Sequence, residues 1–186
     1  MSEAEPFTGK RLFLLRHAMA SSEHSGDDNT RPLAPQGTQD AMALGRYMQH
    51  HDFTPDLILC SSARRTRETL DGLSKTLSLE TVNFIDILYS GSTGDYLYEI
   101  QKADNKHNNI LMIAHNPCIY ELIRLLAAQG EEHTQQRLME GYAPATLSVI
   151  HCRSSNWSTI QPVENALAHI ASPIDYNAPA RPTRWM

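Results

Sequence analysis

The stretch "LFLLRHAMAS", residues 12–21, decides how the rest of the chain is read. Four apolar residues, 12–15, run without alternation into Arg16 and His17, and the chain then turns small and polar. A strand buried on both faces reads as an unbroken apolar run, whereas a half-solvated strand alternates. Residues 12–15 therefore predict a central strand of a sheet covered on both sides. In open α/β sheets, ligands bind in the crevice beyond the carboxyl ends of such strands. Arg16 and His17 stand at that end, so they become the first candidates for a site.

Working outward, the same kind of run recurs at "LILC" (57–60), "NFIDILY" (83–89) and "ILMIA" (110–114). Helical spacing separates them. Ala41, Leu44 and Tyr47 lie on one stripe of 35–47, and Thr66, Leu70, Leu73 and Leu77 on one stripe of 63–77. Ile119, Leu122, Ile123 and Leu126 form a third apolar face, before which Asn116 suits an N-cap and Pro117 a first helical position. "ATLSVIHC" (145–152) reads as a further strand, and "NWSTIQP" (156–162) as an edge strand returning beside it. Strands alternating with helices predict a three-layer α/β/α fold with a mostly parallel central sheet. One domain over 1–173 is expected, followed by an irregular, proline-containing tail over 174–186.

At 186 residues the chain is long enough for one substantial core. A net charge of −5 argues against a broad nucleic-acid footprint, although a local cationic pocket remains compatible with it. No apolar run approaches the roughly 20 residues of a membrane span, and the acidic opening "MSEAEPFTGK" lacks an export signal. Cys60, Cys118 and Cys152 are far apart and odd in number, which predicts neither a disulfide framework nor a zinc site. The nine histidines show no HExxH spacing, so no metal and no cofactor are expected, and the compartment expected is the reducing cytoplasm.

Three strand ends carry unusual chemistry. The first ends at Arg16-His17, the second runs into "SSARRTRET" (61–69), and the fourth ends at His115-Asn116-Pro117. In a parallel sheet these ends share one edge. Helix N-termini there offer free N–H groups and a positive dipole end, and guanidinium groups beside them suit a tetrahedral oxyanion such as phosphate. Taken singly, each cluster has an ordinary structural reading. Arg64 and Glu68 form an i, i+4 pair, and His115 could be a satisfied core histidine. Helix geometry turns Arg64 toward solvent and leaves Arg65 and Arg67 equally placed to face the site.

These motifs together resemble the histidine phosphatase superfamily, and within it the small bacterial phosphohistidine phosphatases of the SixA type. "LLRHAMAS" is similar to the family's Leu-Arg-His-Gly/Ala opening, "DNTRPLAPQG" (28–37) to its Asp-x-x-Arg-Pro-Leu-x-x-x-Gly segment, and Ser61, Arg65 and Thr69 to its Ser-x-x-x-Arg…Thr pattern. "AHNP" (114–117) stands where the family has Gly-His-Asn-Pro, and "APATLSVI" (143–150) and "LAHIASP" (167–173) resemble its closing strand and final motif. The resemblance spans residues 11–173 in the expected order.

It implies a phosphoglycerate mutase-like fold and a metal-independent phosphatase acting on a phosphohistidine-bearing protein. His17 would be the nucleophile that becomes phosphorylated, with Arg16, Arg65 and His115 completing the phosphate pocket. Ser61, Arg31 and Asn116 would contact substrate, Arg31 either gating the pocket or pairing with Asp27 or Asp28. A neutral His17 would need its second ring nitrogen held by a hydrogen bond, expected from a backbone carbonyl. His115 would act best as an imidazolium stabilised by the bound anion. The larger members' glutamate after the third strand has no clear counterpart, and Asp86 is the candidate general acid, with capping or ion pairing as its alternative role. Without a strong acid, phosphohistidine should be a better substrate than alkyl phosphates, because imidazole leaves more readily than an alkoxide. No long insertion suggests a lid, so an open site with "SSEHSGDDN" (21–29) at its rim is expected.

Alternative readings are a broad phosphomonoesterase acting on small molecules or phosphoproteins, or a non-catalytic phosphoprotein-binding module. A phosphoglycerate mutase-like transferase fits less well, given the short chain and the missing glutamate. A cysteine-based phosphatase built on Cys60 would need arginine at position 66, which is Thr66.

Overall fold

The computed structural model describes residues 7–127 and 129–177, and its centre is the strand predicted from residues 12–15. That strand, β1 (Arg11–Arg16), is flanked by β4 (Asn109–Ala114) on one side and β6 (Leu147–His151) on the other. Beyond β4 lie β2 (Leu57–Ser61) and the edge strand β3 (Val82–Ile85). Beyond β6 lie β7 (Ala166–Ala171) and the two-residue β5 (Gln129–Gly130), so the seven-stranded order is β3-β2-β4-β1-β6-β7-β5. Only β6 runs antiparallel to its neighbours, and the expectation of a mostly parallel sheet holds.

Alternate side chains of β1 feed two separate cores, which is why the run is apolar at every position. Phe13 and Leu15 face α1 (Pro35–His50) and α2 (Arg64–Leu73), packing with Leu44, Met48, Leu70 and Leu73. Leu12 and Leu14 face α5 (Cys118–Leu126), packing with Ile119, Leu122 and Leu126. On this second face Tyr96 and Ile100 of α4 (Thr93–Gln101) and Leu138 of α6 (Glu132–Met139) complete the layer. The three-layer α/β/α architecture follows.

Four local expectations change. The run 83–89 is not one strand: β3 stops at Ile85, and α3 (Ile87–Ser90) begins after Asp86. Asn83 and Phe84 are exposed on this edge, and helical winding is what turns Leu88 into the core. The run 156–162 does not return as a strand. It forms a 3-10 turn at Trp157–Thr159 that buries the indole and lets Trp157 Nε1 donate to His107 O at 2.7 Å; β7 takes the place beside β6. Asn116 is not the N-cap of α5, which starts at Cys118, because the Asn116 amide is turned to donate to Tyr142 O. Lastly, the tail expected to be irregular from 174 opens as a helical turn, α7 (Pro173–Tyr176). A Ser172–Asp175 capping box starts it, an Arg137–Asp175 ion pair of 2.6 Å holds it, and Tyr176 O–H donates to Ala145 O. Positions 178–186 of that tail lie outside the described residues.

The loop after β1 is clamped onto the start of α1. Ala34 N–H donates to Met19 O at 2.8 Å, and a Cβ placed on Gly37 would stand 2.1 Å from the same carbonyl. Gly37→Ala is therefore expected to lower unfolding stability by about 1–3 kcal/mol. Gly94→Ala, in a helical turn where the added carbon meets nothing closer than 3.6 Å, should be neutral or stabilising by up to about 1 kcal/mol. Urea unfolding of the two variants distinguishes these outcomes.

Candidate active site

Neighbouring rungs of the sheet put the three polar strand ends together. Arg16 pairs in register with Ala114, and Leu15 and Cys60 both stand opposite Ile113. Ser61 therefore ends β2 beside His115, and Arg16-His17 end β1 on the other side. The chain is pinned at this edge by His17 N–H donating to Ala114 O at 3.1 Å and Arg16 N–H donating to Thr146 O at 3.1 Å.

His17 has a defined tautomer. Its Nδ1 lies 2.7 Å from Ala18 O, and a carbonyl can only accept, so Nδ1 carries the proton. The Nε2 lone pair is then free, and Arg65 Nε–H donates to it at 3.2 Å. Ala18 is itself fixed, because its N–H donates to Thr69 Oγ1, whose O–H donates to Arg65 O one helical turn back. The expected backbone carbonyl behind the histidine is thus Ala18's.

His115 lies with its ring centroid 5.1 Å from that of His17. Its Nε2 shares a 2.8 Å hydrogen bond with Ser61 Oγ, while its buried Nδ1 has no protein partner. Arg16 donates through Nη1 to Tyr142 O at 2.6 Å and keeps a buried, unpartnered Nε. Thr146 Oγ1 and Asn116 Oδ1 are likewise buried without partners. Buried polar groups are almost always hydrogen-bonded. Four such exceptions lie on residues at or next to the strand ends, and two of them, Arg16 Nε and His115 Nδ1, belong to residues beside His17 and leave hydrogen-bonding capacity for a ligand such as an oxyanion.

The recess depresses both histidines. Burial is the chief cause for His17, reinforced by Arg65, Arg16 and Arg31 against the Ala18 hydrogen bond, and it brings the imidazole down to about 4. Burial again leads for His115, followed by His17 and Arg65, and brings it to about 3. Both rings are neutral in the free protein at physiological pH. His17 then holds a lone pair directed at the site, whereas His115 becomes an imidazolium only where a bound anion offsets its arginine neighbours.

Of the expected site residues, Arg16, His17, Arg65 and His115 converge. The uncertainty between Arg65 and Arg67 resolves on Arg65, whose side chain is 7% exposed; Arg67 donates to Ser62 O and lies over the exposed Phe84 ring. Arg64 pairs with Glu68 at 2.6 Å, as its spacing predicts. Ser61 is fully buried and orients His115, a role different from the substrate contact expected of it. Arg31 pairs with Asp28 at 2.8 Å, the second of its expected roles. Asn116 leaves its Oδ1 buried and unpartnered while its amide N–H donates to the Tyr142 carbonyl. Asp86 is exposed and hydrogen-bonds none of these residues. The carboxylate at the site is Asp28, bonded to Arg65 at 3.0 Å and to the Tyr89 hydroxyl at 3.2 Å. Tyr89, Tyr142 and Thr146 were not singled out from sequence. Asp28 and Thr146 lie inside family-like motifs, but nothing in their spacing points to these contacts. Cys60 is fully buried, and burial pushes its thiol up to about 12, which removes a cysteine nucleophile from consideration.

Comparisons with known proteins give the family and fold that the chain resembles. A profile of the histidine phosphatase superfamily (branch 1) matches residues 12–88. A solved structure from Nakamurella multipartitia, provisionally assigned as the phosphohistidine phosphatase SixA, is similar with 27% identity, covering 91% of this chain and 99% of that one at a TM-score of 0.78. A second, from Agrobacterium tumefaciens and with the same provisional assignment, shows 25% identity over 89% of this chain and 99% of its own, at a TM-score of 0.72. An uncharacterized protein of Mycobacterium tuberculosis is 25% identical over 80% of this chain and 92% of its own length.

The depressed histidines set a stability slope. Unfolded, each titrates near 6.5; folded, at about 4 and about 3. Between these values the unfolded chain binds more protons, so stability falls as pH falls through that window. His17 alone should lower unfolding stability by about 2 kcal/mol between pH 7 and pH 5. Urea unfolding at the two pH values should show this loss in the wild type and a much shallower one in a His17→Asn/His115→Asn double variant.

Proposed function

The chain belongs to the histidine phosphatase superfamily, and on that footing we propose that it hydrolyses phosphohistidine on a protein through a covalent phosphoryl intermediate on His17. The observation that carries this reading is the His17 ring: neutral, with its proton on Nδ1 facing Ala18 O, and with Nε2 presented beside Arg65. A merely anion-binding site has no need of a lone pair at its centre.

In the first half-reaction His17 Nε2 attacks phosphorus and the substrate's P–N bond breaks. The equatorial oxygens gain stabilisation from Arg16 and His115, each of which keeps an unpartnered buried nitrogen, and from Arg65, which already contacts His17 Nε2. As the phosphoryl dianion arrives, it favours protonation of His115 and the positive charge that develops on the phosphorylated His17 ring. In the second half-reaction water attacks phosphorus and His17 leaves with its electron pair, restoring the neutral ring. None of these steps calls for a metal, and among the described residues no three His, Cys, Asp or Glu side chains converge as a metal site.

A protein substrate is favoured by two observations. The assignments of the similar structures name phosphohistidine, a modified protein side chain, and no inserted domain covers the strand ends among the described residues. The three cysteines are free thiols, which suits the reducing cytoplasm. No helix among the described residues is long and apolar enough to cross a membrane.

The test is phosphate release from a protein phosphorylated on histidine, assayed with chelator present. Wild type should turn over and retain acid-labile phosphate when quenched in mid-reaction. His17→Ala should abolish both, and Arg65→Ala should lower kcat by about 100- to 1,000-fold. Turnover surviving in His17→Ala would reject the covalent mechanism. Turnover of small phosphate esters but not of the phosphoprotein would instead favour the phosphomonoesterase reading.

A further inference from the structure

Among the described residues no glutamate is placed at the site as a general acid, yet one carboxylate stands there in an unexpected position. Asp28 sits in a 3-10 turn (Asp28–Thr30) of the loop after His17. Its Oδ2 accepts from Arg65 Nη2 at 3.0 Å and from the Tyr89 hydroxyl at 3.2 Å, while Oδ1 accepts from Arg31. Its backbone carbonyl accepts from Arg65 Nη1 at 2.7 Å. Among the described residues it is the only carboxylate bonded to an arginine that itself contacts His17. Its side chain is 51% exposed, so it forms the mouth of the recess rather than its floor.

A carboxylate at the mouth of a phosphate site is a liability unless the substrate brings a positive charge to meet it. Phosphate esters of serine, threonine or sugars bring none. A phosphorylated imidazole does, once its second ring nitrogen is protonated. Tyr89 completes the recognition surface. Its ring stands edge-on to His115 at 5.7 Å, Arg65 lies 5.7 Å from its centroid, and its hydroxyl fixes the orientation of Asp28.

Resting on the phosphohistidine reading above, we propose that Asp28, oriented by Tyr89, recognises the cationic leaving group and so makes the pocket selective for phosphorylated nitrogen bases over phosphate esters of alcohols. The incoming phosphoryl oxygens take up part of the hydrogen bonding of Arg65, and the carboxylate turns to the N–H of the substrate ring. The charges balance without a general acid. His17 Nε2 bonds to phosphorus, the P–N electron pair remains on the leaving nitrogen, and the proton already on the other ring nitrogen makes the departing imidazole neutral. Asp28 acts as an anion throughout. Although burial alone would raise its carboxyl, Arg65, Tyr89 and Arg31 together hold it below the usual range.

Two substrates separate this role from a structural one: a peptide phosphorylated on histidine, and p-nitrophenyl phosphate, whose leaving group carries no positive charge. Asp28→Asn should lower the ratio of kcat/KM for phosphohistidine over p-nitrophenyl phosphate by at least 10-fold. It should also move the alkaline limb of the phosphohistidine pH profile to lower pH, because the carboxylate no longer favours the protonated substrate ring. Tyr89→Phe, which keeps the ring and loses only the hydroxyl, should lower the same ratio by about threefold and provides the reading if Asp28→Asn does not fold. A purely structural role would reduce both substrates in proportion and leave the limb in place, and that result overturns the inference alone. Wild type that hydrolyses p-nitrophenyl phosphate but not the phosphohistidine peptide overturns the inference together with the function on which it rests.

Discussion

The hydrogen bond from His17 Nδ1–H to the carbonyl of the next residue is the constraint around which the active edge is organised. It places the proton on the nitrogen facing away from the reaction and leaves the lone pair on the nitrogen facing Arg65. The bond holds only while residue 18 is fixed, and several distant parts of the chain serve that end. Thr69 of α2 receives the Ala18 N–H. Gly37 of α1 lets the helix approach the Met19 carbonyl more closely than a side chain would permit. Ala114 of β4 receives the His17 N–H. Residues separated by half the chain thus act on one torsion, which explains why the motif positions are spaced so widely.

The arginines create an opposing demand. Burial is the main reason both imidazoles remain neutral, and Arg16 and Arg65 add to the cost of any further positive charge in the recess. In the proposed mechanism that outcome serves nucleophilic attack by His17. In the same proposal the charged form of His115 depends on the ligand, so charge in the pocket would be matched to occupancy by a phosphoryl dianion. Asp28 moderates the same field from outside by pairing with Arg65 and Arg31.

Much of this was legible in the sequence, for physical reasons that differ by element. The central strands announced themselves because burial on both faces forces an apolar residue at every position, as in residues 12–15 and 110–114. Their ends then defined the site, since parallel strands share a polarity. The third strand was misread beyond Ile85 because "NFIDILY" keeps its apolar character while its period changes, so Leu88 reaches the core from a helical turn rather than from a strand. Trp157 misled in a related way: a large indole signals burial, but a 3-10 turn can bury it as well as a strand. The tail was judged by its prolines, whereas Pro173 is at a first helical position and the Ser172–Asp175 box starts a turn there.

The carboxylate shows where sequence reasoning reaches its limit. Asp86 is the candidate from sequence because it lies within the third apolar run, 83–89, near where larger relatives carry an acid, an argument from position along the chain. Position near the site is a different quantity, set by how the loop after His17 folds back over α2, and no periodicity encodes that. Arg65 reaches the Asp28 carbonyl and its carboxylate at once, so the same guanidinium that faces the nucleophile also anchors the loop. An acid held this way, ionised and shared between two arginines, is poorly suited to donate a proton and well suited to receive a cation. In the proposed reaction, chemistry that would otherwise require a protonated carboxyl passes to the substrate, whose leaving ring brings its own proton.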